Sequence, residues 1–168
     1  MRKARNFRHK PWVWGFTIIE LVVAITIALL LMAAAIPLFA SRARTQEVDK
    51  EAWQVSSFVG RAKSYASYPE FASFDPAFEP TAYRVKKINA THLSIFRVAS
   101  SGETVIGEDL LLTKSTIVNN FSNIDFGVYG GTYSLPGPTE IQLQLTRDHA
   151  KTARVIVTNP GEISVTVP

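Results

Sequence analysis

Apolar residues run from Phe16 to Ala40, interrupted by Thr17, Glu20 and Thr26. From Leu21 to Ala40 the chain holds 20 residues with no charge. At about 1.5 Å per residue such a helix spans roughly 30 Å, the thickness of a bilayer core. Beyond Ala40 the pattern becomes amphipathic. Val48, Ala52, Val55, Val59, Ala62 and Ala66 recur at helical spacing, while Arg42, Arg44, Glu47, Asp49, Lys50, Glu51, Arg61 and Lys63 are assigned to the opposite face. This predicts that the helix continues over 41–67 and packs one stripe on a core. Trp53 and Phe58 fall off the stripe and are expected to touch neighbouring subunits.

Residues 68–80, YPEFASFDPAFEP, hold three prolines and read as a loop. The period then drops to two. Strands are predicted over Ala82–Ile88, His92–Val98, Glu103–Ile106, Ile124–Tyr129, Glu140–Thr146, Ala153–Thr158 and Ile163–Val167. In Glu140–Thr146, Ile141, Leu143 and Leu145 alternate with Gln142, Gln144 and Thr146, as in a half-buried strand. Asn159-Pro160-Gly161-Glu162 predicts a turn, so the last two strands should form a hairpin. The expected fold class is α+β: a long N-terminal helix, with a membrane half and an amphipathic half, packed on a C-terminal antiparallel β domain. The expected divisions are a leader 1–15, an apolar helix 16–40 and a globular domain 41–168, itself made of helix 41–67, loop 68–80 and β region 81–168.

Charge sharpens this division. The chain of 168 residues carries a formal +4, but five of its 18 Lys/Arg lie in residues 1–15, which hold no acid. The remaining 13 face 14 acidic residues. A basic leader before an apolar run places the N-terminus in the cytoplasm and the C-terminal domain outside. A secretory signal core runs to about 7–15 residues and carries no acid, unlike this run. A plain membrane anchor gains nothing from Glu20, whose carboxylate would cost roughly 2.5–3.5 kcal/mol at the bilayer centre and less near an end.

The run Gly15-Phe16-Thr17-Ile18-Ile19-Glu20-Leu21-Val22-Val23-Ala24-Ile25 resembles the N-terminal signature of type IV prepilins and type II secretion pseudopilins. Pro37 matches the helix-kinking proline of that family. The leader departs from the family in Trp12 and Trp14, just before Gly15, which suit an interfacial anchor. The order of elements and the C-terminal ARVIVTNPGEISVTV are similar to H-type minor pseudopilins and related minor pilins. The resemblance implies cleavage between Gly15 and Phe16 by a membrane aspartic prepilin peptidase, with N-methylation of the new Phe16 amine. It implies assembly and recognition roles for Thr17, Glu20 and Pro37. The implied partners are other pilin or pseudopilin subunits, the prepilin peptidase, an inner-membrane assembly platform and, before assembly, the lipid bilayer. The implied location is the inner membrane, single-pass, and then the filament.

These positions also have physical readings of their own. Gly15 offers no side chain to obstruct a protease. After cleavage Glu20 becomes the fifth residue, just over one helical turn from a new cationic amine, in its own chain or a neighbour. Pro37 removes one helical hydrogen bond, clashes with the carbonyl of Ala33, and is expected to kink or locally melt the helix.

Chemistry is sparse. With no cysteine, the chain has no disulfide and no thiol nucleophile. His9, His92 and His149 are scattered, without zinc-ligand spacing. Asp148-His149 lacks any nucleophile elbow. No phosphate-binding loop or dinucleotide fingerprint occurs. The expectation is a structural subunit, not an enzyme, with no cofactor and no metal. The alternative is a DNA-capturing minor pilin of a competence or uptake filament. It would use Tyr83, Arg84, Lys86 and Lys87, joined by Lys151 and Arg154 if the strands lie close. Nucleic acid is not the expected partner, because the exposed domain is not net basic and its C-terminal hairpin carries Glu162.

Overall fold

The computed structural model describes residues 16–68, 79–121, 123–128, 138–158 and 161–167. The leader with Gly15, most of the expected loop 68–80, and residues 129–137 lie outside the described residues. The chain divides into two compact units, Met1–Ala40 and Ser41–Pro168.

One helix, α1, runs Ile18–Ser67. It starts where Thr17 caps it: the Thr17 hydroxyl accepts the Glu20 N–H at 3.3 Å. It ends where Tyr68 N–H reaches the Ser64 carbonyl at 3.0 Å, and the following residue, Pro69, has no N–H to continue the ladder. Helix is maintained through Pro37, so the expected local melting does not occur there. One missing bond leaves the neighbouring bonds of the ladder in place.

In the first unit the apolar side chains of α1 are uncovered; Ile18, Leu30, Leu31 and Phe39 are each more than half exposed. In the second unit α1 buries Val48, Glu51, Ala52, Val55, Phe58, Val59, Ala62 and Ala66. These fall in two adjacent rows, giving the broad apolar face of a globular helix. Two expectations are corrected. Phe58 is fully buried and available to no neighbour, and Glu51 lies inside, not on the solvent face. Trp53 is exposed.

Eight strands follow: β1 Pro80–Asn89, β2 His92–Ala99, β3 Gly102–Leu111, β4 Ser115–Ile117, β5 Ile124–Gly127, β6 Thr139–Leu145, β7 Asp148–Val157 and β8 Ile163–Thr166. They form two four-stranded sheets, β3-β2-β1-β5 and β4-β6-β7-β8. All the pairings are antiparallel. The seven predicted strands are present, with β3 longer than expected and β4 additional. The predicted C-terminal hairpin pairs Val157 with Ile163 and Arg154 with Thr166. Of the predicted turn, Asn159 and Pro160 lie outside the described residues; Gly161 stands at φ 85°, a conformation that favours glycine.

Buried side chains from α1 (Val55, Phe58), the first sheet (Val85, Ile95, Phe126) and the second sheet (Ile141, Leu143, Val155) share one core. Strand β3 occupies an edge of the first sheet and carries a bulge. Val105 pairs with Phe96 and Asp109 with Ser94, so residues 106–108 stand against Ile95 alone. Gly107, at φ 78°, supplies the turn the bulge requires.

Candidate functional site

The predicted processing and assembly residues gather at the start of α1. Phe16 precedes the helix and is 80% exposed. Thr17 and Glu20 occupy the cap and third positions, the spacing of a capping box. The Ser/Thr-x-x-Glu pattern before an apolar run is the sequence signal for this cap. A carboxylate in the first turn also complements the positive end of the helix dipole. Among the described residues the Glu20 carboxylate has no ionic partner and is exposed. Pro37 lies 17 residues further along the same apolar segment. Gly15, on the other side of the expected scissile bond, lies outside the described residues.

A second carboxylate on the same helix is in the opposite condition. Glu51 is buried, and its Oε1 accepts the N–H of Thr113 at 3.0 Å, the N–H of Lys114 at 2.9 Å and the Thr113 hydroxyl at 3.1 Å. Its Oε2 accepts the N–H of Ser115 at 2.7 Å. Burial pushes this carboxyl up, but the donors of Ser115, Lys114 and Thr113 together outweigh that and hold it below the usual range. Glu51 thus fixes the segment that carries the chain from β3 into β4. Nearby, Glu47 pairs with Lys114, and Arg44 meets Asp148 at 3.1 Å, holding the Asp148 carboxyl low. At the other end of the buried stripe, Lys63 donates to the Gly161 carbonyl at 3.0 Å.

The candidate nucleic-acid residues, Lys151 apart, are engaged within the domain. Tyr83 is buried. Arg84 grips its cross-strand partner Asp125 with Nε and Nη2, each at 2.6 Å from a carboxylate oxygen, and also contacts Glu103. This bidentate pairing with Asp125, despite the opposing effect of burial, raises the guanidinium pKa further. Lys86 lies 3.4 Å from Glu103 and over the Phe96 ring. Lys87 points inward and donates to the carbonyls of Ile117 at 3.2 Å and Asn119 at 2.8 Å, linking β1 to the β4 segment. Arg154 lies 3.3 Å from Glu140 on the neighbouring strand β6. Lys151 is not brought to Arg84; it lies beside Arg42 and Thr45.

The fold also brings together a serine, a histidine and an aspartate. The Ser94 hydroxyl donates to Asp109, and His92 Nε2 lies 3.3 Å from both Ser94 Oγ and Asp109 Oδ2. A nucleophilic relay needs the acid and the hydroxyl on opposite ring nitrogens, with the hydroxyl proton directed at the imidazole. Here both partners share one nitrogen and the carboxylate takes the hydroxyl proton. The bond from Ser94 lowers the Asp109 pKa, and the trio stitches β2 to β3. Asp148 is paired with Arg44, leaving no basis for a relay through its sequence neighbour His149. Among the described residues no three His, Cys, Asp or Glu side chains form a metal-sized cluster.

Comparison with family models, curated proteins and solved structures yields no match for this chain. What the fold does define is a class: an α+β protein with one long N-terminal helix and an antiparallel β domain. That helix is long and apolar enough to cross a membrane.

Proposed function

We propose that the chain is a structural subunit of a type II secretion pseudopilus or type IV pilus-like filament, as a minor pseudopilin or minor pilin. The observation that carries this reading is a conjunction on α1. The Gly15-Phe16-Thr17-Ile18-Ile19-Glu20 signature opens a helix whose first half is apolar and uncovered, while its second half is seated in a β domain. In this reading the subunit sits in the inner membrane with the β domain outside. Prepilin peptidase removes residues 1–15 and methylates Phe16. The apolar half-helices then pack together along the filament axis. Repetition of one head-to-tail contact generates an open helix of subunits. Glu20, without an ionic partner among the described residues, meets the Phe16 amine of an adjoining subunit and sets axial register. The DNA-capturing reading finds less support, since Arg84, Lys86, Lys87 and Arg154 are held by acids or carbonyls of their own domain.

Intact-mass measurement of the mature protein tests the proposal. The expected chain begins at Phe16 and carries one extra methyl on its terminal amine. A mature chain that retains Met1, or one that begins at Ser41, overturns it.

A further inference from the structure

The last residue of the uncharged run is Ala40, and Ser41 and Arg42 follow at once. Even a fully extended chain keeps Arg42 within about 7 Å of Ala40, inside the headgroup layer if the run spans a bilayer. The β domain brings a second cation to this point. Ser41, Arg42, Thr45, Gln46 and Lys151 line an open depression of about 360 Å³. Lys151 comes from β7, and the β6–β7 turn is tied to α1 by the 3.1 Å ion pair between Arg44 and Asp148. The Gln144 side chain braces the same turn by donating to the His149 carbonyl at 2.8 Å. Among the described residues neither Arg42 nor Lys151 has a carboxylate within ion-pair distance. Asp148, the nearby acid, is paired with Arg44, and Lys151 acts on the same carboxylate from beyond ion-pair distance.

We propose that Arg42 and Lys151, with the hydroxyl of Ser41, bind the phosphate of an anionic phospholipid headgroup at the membrane face where the apolar run ends; the Thr45 hydroxyl, which donates to the Ser41 carbonyl at 3.2 Å, lines the cleft without donating to the lipid. Two cations and a hydroxyl lining one cleft match the charge and acceptor character of a phosphodiester. The cleft lies in the size range of small-ligand sites, roughly 300–1,000 Å³. The bound lipid steadies the β domain on the membrane before assembly and is released when the subunit leaves the bilayer. This rests on the membrane reading given above.

The test uses the full chain in nanodiscs made of equal parts phosphatidylglycerol and phosphatidylcholine. Native mass spectrometry then reads the lipids that stay bound on release. The wild type is expected to retain phosphatidylglycerol in excess, by about fivefold for each engaged charge. The double variant Arg42→Gln, Lys151→Gln should lose the part of the excess that these two charges hold, leaving only what the basic leader retains. Lys50→Gln, eight residues beyond Arg42 and about 12 Å along the helix, should keep the excess. A wild type that enters nanodiscs but holds both lipids equally overturns the headgroup site alone, as does a double variant that keeps the whole excess. A chain that never enters nanodiscs and is stripped from membranes by alkaline carbonate overturns the membrane reading and this site with it.

Discussion

Glu20 and Glu51 lie on one helix, 31 residues apart, and their surroundings are opposite. Glu51 is enclosed, with three backbone N–H groups and a hydroxyl converging on its oxygens. Glu20 contributes its backbone to a cap, and its carboxylate is left open. A carboxylate in a protein interior is tolerated when its own chain supplies the donors. One in a membrane must find them elsewhere or be neutralised. The contrast separates a residue that completes the fold of its own domain from one that, under the proposed function, is completed by a neighbouring subunit. The rest of the helix divides in the same way: Phe58 is sealed into the core, whereas the apolar side chains before Ala40 are uncovered.

The sharpest way to break this division is to strike the buried half. Phe58→Ala should destabilise the β domain by about 4 kcal/mol, the usual cost of emptying a large core site. Trp53→Ala, on the exposed face of the same segment, should change it by less than about 0.5 kcal/mol. Thermal melts of a chain beginning near Arg42, followed by near-ultraviolet circular dichroism, read both. Equal effects would mean that the exposed and buried faces are misassigned.

Next in size is Glu51→Ala, with an expected loss of about 3 kcal/mol from three N–H groups, the buried one of Ser115 among them, left without their acceptor. The same residue predicts an acid limb. Its folded pKa is depressed, so its contribution is complete above the unfolded value, near 4.5, and is lost as pH falls through the folded one. Glu51→Gln should flatten that limb. A wild-type stability curve unchanged by the substitution between pH 5 and pH 3, a range bracketing the ordinary Glu value, would rule the Glu51 clamp out as its source.

Smallest in free energy, but decisive for function, is Glu20→Val. Filament incorporation should fall at least about tenfold, equivalent to roughly 1.4 kcal/mol, while the melting temperature of the β domain stays fixed. Glu20→Asp should fall between the two, because it keeps the charge and shortens the reach. Crosslinking to filament partners, with leader removal checked alongside, gives the readout. Normal incorporation of the valine variant would remove Glu20 from the assembly contact.

The long helix and the β domain were legible because their periods differ, and each persists over many residues. Strand β4 was not, since Ser115-Thr116-Ile117 is too short to show an alternation. Neither was the antiparallel pairing of β1 with β5, which joins Val85 to Ile124 across a long stretch of chain. Phe58 and Glu51 were misplaced for a common reason. The buried face is two rows wide, and reading only the row through Val48, Ala52, Val55 and Val59 leaves the adjoining row outside. Glu51 has a further obstacle: its donors lie 62 to 64 residues away in sequence. The Thr17–Glu20 cap went unread although its pattern lies within four residues, because both positions were weighed only for processing and assembly.

In the filament proposed above, where copies of the chain would stand side by side, the bulge in β3 has a consequence of its own. An unbroken ten-residue edge would offer a continuous template for strand-to-strand fusion. Residues 106–108 interrupt it, leaving Gly102–Val105 on one side and Asp109–Leu111 on the other. Two short rims separated by a bulge are poor nuclei for cross-β stacking. Crowded copies of this chain are thereby steered away from tangling through their sheets, at the expense of a single glycine placed where its backbone can turn.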